Sequence, residues 1–225
     1  MAVRTRRGGK IDLYRDHKEE YAASEQPAIV QVGPALYLTV VGKGSPGGPE
    51  FQSAMGSLFG AAYTLKFLHK ARGRDFKVSG PEGLWGAPPR SGPFRMEDLA
   101  KLPWRLILRV PEFVTNADLR ATLQQLAKKG KAGGDRVTLE RLREGTCVQM
   151  LHVGPYSTEP RTVKALGIFA RGEGFSLVGP HHEIYLSDPR RVAPSRLRTV
   201  LRYPVRKSRR LPQRLSTGRR LARSS

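Results

Sequence analysis

Cysteine is almost missing from this chain: Cys147 is the one cysteine in 225 residues. An internal disulfide framework and cysteine-rich zinc sites are therefore excluded. Long apolar runs are missing as well. No stretch approaches the ~18 residues of a membrane span, and no apolar core of a signal peptide stands near Met1. P-loop, G-x-S-x-G, H-E-x-x-H and strand-following G-x-G-x-x-G patterns do not occur. Neither helix-turn-helix nor zinc-finger spacing is present, which removes sequence-specific DNA binding as the first reading. With 39% hydrophobic residues the chain can still bury a core. The expectation is a soluble, cytoplasmic, globular protein.

Acids are scarce too, 19 against 40 Lys and Arg, for a net charge of +21. More than half of that charge lies at the two ends. Residues 1–10 contribute Arg4, Arg6, Arg7 and Lys10 without an acid. Residues 206–225, RKSRRLPQRLSTGRRLARSS, contribute eight cations without an acid. Both segments are poor in large apolar residues and are expected to be disordered tails. Such a tail is either a solvated solubility aid or a non-specific attractor of polyanions such as DNA, acting by counterion release.

Between the tails, the period of the apolar residues predicts a mixed α+β body over residues 11–205. Ala28 to Val41 reads as a strand closed by the glycines of GKGSPGG. A helix follows, with Pro49 in its first turn. It carries one apolar stripe of Phe51, Met55, Leu58, Ala62 and Leu65 and a second of Phe59, Tyr63 and Phe67. One broad stripe suffices for a surface helix, so the second either lines a cavity or widens the buried face. Strands are predicted at 82–87 and 104–110. Next comes a helix from Thr115, with Thr115 as N-cap and Asp118 in its first turn. The order then returns: a strand at 147–153, a helix capped by Ser157 or Thr158, a strand at 182–186, and another at 197–203 that Pro204 ends. Leu108-Arg109-Val110-Pro111 is echoed by Leu201-Arg202-Tyr203-Pro204. Two tandem strand–helix–strand–strand units, about 28–111 and 146–204, predict a pseudo-twofold α+β fold. Its seam is a natural place for a ligand cleft.

Strand alternation selects the candidate chemistry. In HEIYLSDP, Glu183 and Tyr185 share one face and Ile184 and Leu186 the other. The aliphatic pair is expected to face the helices, which sends the carboxylate and the phenol to the cleft. Alignment of the units sets Trp85 in the place of Tyr185, across the seam. Glu82 falls on the face opposite to Trp85 and is the weaker acid candidate. Glu183 reads equally as an ordinary exposed acid, and Trp85, Trp104 and Tyr63 as core aromatics. His152 shares a face with Val148 and Met150, as a satisfied core histidine does. His181 and His182 are adjacent on a strand and point opposite ways. Cys147 reads as packing.

MLHVGPY (150–156) leading into a helix, together with HHEIYLSDP (181–189), resembles the GyrI-like small-molecule-binding domain family. The resemblance extends through DLYRDHKEEY (12–21), GKGSPGGPEFQ (42–52), TLKF (64–67), EGLWG (82–86) and RVAPSRLRTVLRYPV (191–205). It implies the tandem pseudo-twofold fold and a cleft that takes planar, lipophilic compounds beside a glutamate, which Glu183 matches. The stand-alone form looks most like the branch of cyclopropanoid cyclopropyl hydrolases, which detoxify DNA-alkylating natural products of the yatakemycin and CC-1065 kind. That likeness implies a hydrolase opening a cyclopropane with water, with Glu183 and Tyr185 as catalytic residues. Trp85, Tyr63, Phe59 and Tyr156 would bind the ring system, with Trp104, Glu82 and His152 around them. Such chemistry requires no metal or organic cofactor. Gly86 stands where many relatives have a second aromatic after the tryptophan. The rival expectation is a binder or sensor that holds planar lipophilic drugs without turnover.

Overall fold

In the computed structural model, the described residues are 9–86, 103–130 and 134–208. Of the expected tails at 1–10 and 206–225, residues 1–8 and 209–225 lie outside them, as do residues 87–102. Two short helices, α1 (Leu13–Asp16) and α2 (Lys18–Tyr21), precede strand β1 (Ala28–Lys43). Helix α3 (Pro49–Ala71) then leads to β2 (Glu82–Trp85), β3 (Pro103–Val110) and α4 (Asn116–Lys128). The second half contributes β4 (Thr138–Val153), α5 (Glu159–Gly172), β5 (Phe175–Leu177), β6 (His181–Tyr185) and β7 (Arg198–Lys207). No described helix is long and apolar enough to cross a membrane.

Local chemistry explains the boundaries. Helix α3 has proline in its first turn, where the missing N–H costs nothing. It ends two residues before Gly73, whose φ of 74° is the left-handed conformation that glycine adopts without a steric cost. At α4 the Thr115 hydroxyl accepts from the Asp118 N–H while the Asp118 carboxylate accepts from the Thr115 N–H. Thr115 is the N-cap that the sequence predicts, and the first-turn Asp118 completes a reciprocal cap.

Among the described residues the strands form one antiparallel sheet in the order β4-β1-β3-β2-β6-β7-β5. A further pairing of β4 with β7 closes the first six on themselves. The closed sheet has two lined faces. On one, Leu36, Leu38 and Val40 of β1 and Leu106, Leu108 and Val110 of β3 pack on α3 and α4. Val148 of β4 and Leu201, Tyr203 and Val205 of β7 pack on α5 there as well. On the other lie Ala35, Tyr37 and Ile107, and Ile184, Val200 and Leu151 with Tyr21. Burial on both sides explains why β1 reads as a nearly continuous apolar run.

Three expectations are corrected. Strand β4 begins at Thr138 rather than 147. Its first half, TLERLREG, is charged because residues such as Glu140 and Arg141 pair with Arg105 and Glu112 near the surface, and this hides the strand period. Pro204 does not end β7. It is the last residue paired with β4, opposite Cys147, and at Val205 the strand passes to β5. Arg206 and Lys207, expected to be tail, are paired with Ser176 and Phe175.

A charged cluster occupies the face away from the long helices. Arg202 donates to Glu144 Oε2 at 2.8 Å and to Gln149 Oε1 at 3.0 Å, and its guanidinium also reaches the Glu20 carbonyl. His182 lies between Glu144 (2.9 Å) and Glu82 (3.0 Å). Arg109 donates to Glu20 at 2.6 Å. The stacked rings of Tyr14 and Tyr21, 3.9 Å apart, both direct their hydroxyls to Glu82 Oε1 at 3.2 Å. Burial of His182 opposes its charge, but Glu144 and Glu82 outweigh it and raise its pKa to about 9. Burial likewise opposes the Glu144 charge, and His182 and Arg202 hold that acid down at about 2.

The folded state thus holds the His182 proton more tightly than the unfolded chain, whose histidines titrate near 6.5. The resulting stability is complete below pH 6.5 and is lost as pH rises through about 9. In urea unfolding, the stability gap between the wild-type protein and His182→Gln should be widest below that lower pH and shrink as the upper one is approached. A gap that stays flat across this range contradicts the assignment. Arg202→Ala leaves Glu144 buried without its guanidinium and should cost about 3–5 kcal/mol in the same experiment.

Candidate functional site

Strand β6 carries the site. It pairs with β2 so that Gly83 stands opposite Glu183 and Trp85 opposite His181. His182 and Ile184 point into the charged and apolar face just described. His181, Glu183 and Tyr185 point to the face of the long helices. This reverses the expected orientation, in which Ile184 was to meet the helices: Ile184 packs with Tyr21, Leu151 and Val200 instead. The polar face turns toward the start of α5, where Glu183 lies beside Glu159 and the Tyr156 ring meets Tyr185 edge-on at 6.1 Å. Alternation along the strand held; a buried charge cluster on the inner face decided which set pointed where.

Glu183 is 4% exposed, and both of its oxygens are occupied. His181 Nε2 is 3.0 Å from Oε1, and the Tyr185 hydroxyl donates to Oε2 at 2.7 Å. Burial and the Glu183 charge push the Tyr185 pKa well above its ordinary value, so the hydroxyl stays a donor. Tyr156 is raised to about 12, by burial first and then by Glu183 and Glu159. The second acid, Glu159, opens α5 and is fully buried. Burial, and then the neighbouring Glu183, raise its pKa well above the usual carboxyl range. Glu159, His181 and Glu183 each offer an atom within 4.8 Å of the others, a spacing that can hold a divalent ion. The donors on both Glu183 oxygens give the cluster the character of a proton-sharing network.

Gly83 shapes the floor. A Cβ at this position would lie 2.8 Å from the Tyr185 hydroxyl and 2.9 Å from Trp85 Nε1. The indole and the phenol therefore converge over the space that the glycine leaves, although their backbones lie toward opposite ends of the seam. The Trp85 ring stacks on Phe51 at 5.8 Å, and its buried Nε1–H has no acceptor among the described residues.

The other predicted residues are spread more widely. Trp104 meets Phe51 edge-on at 5.5 Å and donates to the Gly44 carbonyl. Phe59 and Tyr63 are neighbours on α3, 6.2 Å apart. Tyr63 and Phe67 are 50% and 59% exposed while Phe59 packs against the core, so only part of this second stripe is open. His152 lies buried between Thr162 (2.9 Å) and the Pro155 carbonyl (3.2 Å). Glu82 is on the opposite face of the sheet, bonded to His182, Tyr14 and Tyr21. A pocket of about 280 Å³ opens on that same face, beside Tyr37, Glu144 and His182. Cys147 is buried, and burial raises its thiol pKa. Sequence reasoning missed Glu159 and His181. The signal for His181 was present, since it shares the parity of Glu183; Glu159 carried none, because its approach depends on how α5 docks.

The chain is thus of the mixed α+β class, with a sheet that closes around a charged cluster and a helix-facing glutamate on β6. A profile of the GyrI-like small molecule binding domain matches residues 112–206. An uncharacterized conserved protein from Listeria innocua is 39% identical, with a TM-score of 0.80, covering 88% of this chain and 100% of its own. A hydrolase from Listeria innocua is 38% identical with the same TM-score and coverage. The EcmrR C-terminal domain, at 13% identity and a TM-score of 0.53, shares the fold over 81% of this chain and 98% of its own. A search among curated proteins found no match. The chain belongs to the GyrI-like small-molecule-binding domain family.

Gly83→Ala tests the floor. The added methyl must displace the Tyr185 hydroxyl or the Trp85 indole, an overpacking that costs about 1–3 kcal/mol. The expected result is a lower urea midpoint together with altered tryptophan emission. A variant indistinguishable from the wild-type protein in both contradicts the close approach.

Proposed function

We propose that the protein is a hydrolase that adds water across the cyclopropane of a planar, lipophilic, DNA-alkylating compound, with Glu183 as the base. The observation that carries this reading is the buried, doubly supported carboxylate of Glu183 beside aromatic walls. The name hydrolase borne by a relative at 38% identity supports it as well.

In a spirocyclopropane conjugated to a dienone, water oxygen bonds to the methylene carbon as the carbon–carbon bond breaks. The electron pair moves through the ring to the carbonyl oxygen, which becomes a phenol oxygen on taking up a proton. The substrate supplies the driving force as its ring becomes aromatic. Glu183 orients the water and accepts its proton. Tyr185 and His181 hold the carboxylate in place. Trp85, Tyr156, Phe59 and Tyr63 supply flat surfaces for the ring system, and the unpaired Trp85 N–H is a donor for a substrate oxygen.

We read the pairing of β1 with β4 and of β2 with β6 as a pseudo-twofold relation between the two strand–helix–strand–strand units, with the site on its seam. The basic ends, on this view, keep the protein near DNA in the cytoplasm.

Mass spectrometry on the intact cyclopropane compound tests the reading. Release of substrate plus water over many turnovers is expected, and Glu183→Gln should slow turnover by about 10²–10⁴-fold while leaving binding nearly intact. Retention of one unaltered compound per protein would identify a sequestering binder instead.

A further inference from the structure

We propose that Glu159 is the proton-holding partner of Glu183, so that the two carboxyl groups carry one proton and one negative charge between them. This deepens the hydrolase reading and rests on it for its catalytic part.

The geometry carries the inference. Glu159 is fully buried, and among the described residues no hydrogen-bond donor reaches either of its oxygens. A buried carboxylate without a donor is strongly disfavoured, because desolvation is uncompensated. Glu183 next to it has a donor on each oxygen, so the charge belongs on Glu183 and the proton on Glu159. A protonated Glu159 donates to Glu183 and is then satisfied itself.

Its surroundings supply little to offset a second charge. From β6 it faces His181, Glu183 and Tyr185, from β7 Tyr203, and ahead of α5 Tyr156. The nearby cation on α5, Arg161, is exposed. The rise in the Glu159 pKa, from burial and then from Glu183, has the same direction.

Glu159 is thus a positioning residue that acts through the base. It keeps Glu183 ionised in a buried place by giving it a third donor. When Glu183 takes the proton from water, the pair becomes neutral, and loss of one proton to solvent resets it. Pairs of carboxyl groups whose environments separate their pKa values are a general solution for holding one acid and one base together.

Infrared spectroscopy on the resting full-length protein at neutral pH tests this without substrate. A carboxylic-acid C=O band is expected in the wild-type protein, lost in Glu159→Gln. Should that variant not fold, Glu183→Gln must shift the same band. An acid-region spectrum unchanged by both substitutions overturns the proposal. In turnover, Glu159→Leu removes the donor and should move the acid limb of kcat/KM upward by about one pH unit, while Glu159→Gln, which keeps a donor, restores it. Identical limbs in all three proteins overturn the positioning role. If the band behaves as expected but no compound is turned over, the shared proton stands and the hydrolase reading falls.

Discussion

The closed sheet is organised around three acids and three cations that neutralise one another in a largely buried cluster. Glu20, Glu82 and Glu144 face Arg109, Arg202 and His182, with Tyr14, Tyr21 and Gln149 filling the remaining hydrogen-bond positions. These residues come from α1, α2, β2, β3, β4, β6 and β7. Each partner is needed by the others, because an isolated charge there would bear the whole desolvation penalty. Burying ions in this way adds little net stability compared with an apolar core. What it supplies is uniqueness: only one registration of the strands brings every charge to its partner.

That constraint explains the site on the other face. With Glu82 and His182 committed inward, strand alternation leaves Glu183 and Tyr185 no choice but the helix side. The helix side is lined by aromatics and by α5, so the outward carboxyl meets Glu159 and tyrosine hydroxyls rather than solvent. The same sheet thus holds two acid clusters with opposite solutions. The inner one balances its acids with arginine and histidinium; the outer one has few cations, and protons do that work.

Much of the fold could be read from the letters. The strand–helix–strand–strand order, the Thr115–Asp118 cap and the proline in the first turn of α3 follow from local rules, and local rules suffice for them. The opposite directions of His181 and His182 followed from the period of a strand. What escaped was set by distant partners. The first half of β4 hides its period because its charges find mates on β3 and beyond. Strand β7 continues past Pro204 because β5 takes over the pairing there. The inward direction of Ile184 was illegible because hydrophobic patterning assigns aliphatic residues to helices, and here a ring of buried ions claimed the neighbouring position. Glu159 lies more than twenty residues from Glu183, and nothing in its own segment announces the meeting.

Five residues of β6, His181 to Tyr185, alternate between two faces: odd positions face the helix-side cluster, while His182 joins the buried ions and Ile184 the apolar residues beside them. An insertion or deletion of one residue in this strand would send every side chain to the wrong face at once. Glu183 would enter the arginine-lined interior, and His182 would be turned toward the helices. Such a slip is punished by misfolding before it can be judged on activity. The strand is therefore closed to changes of length.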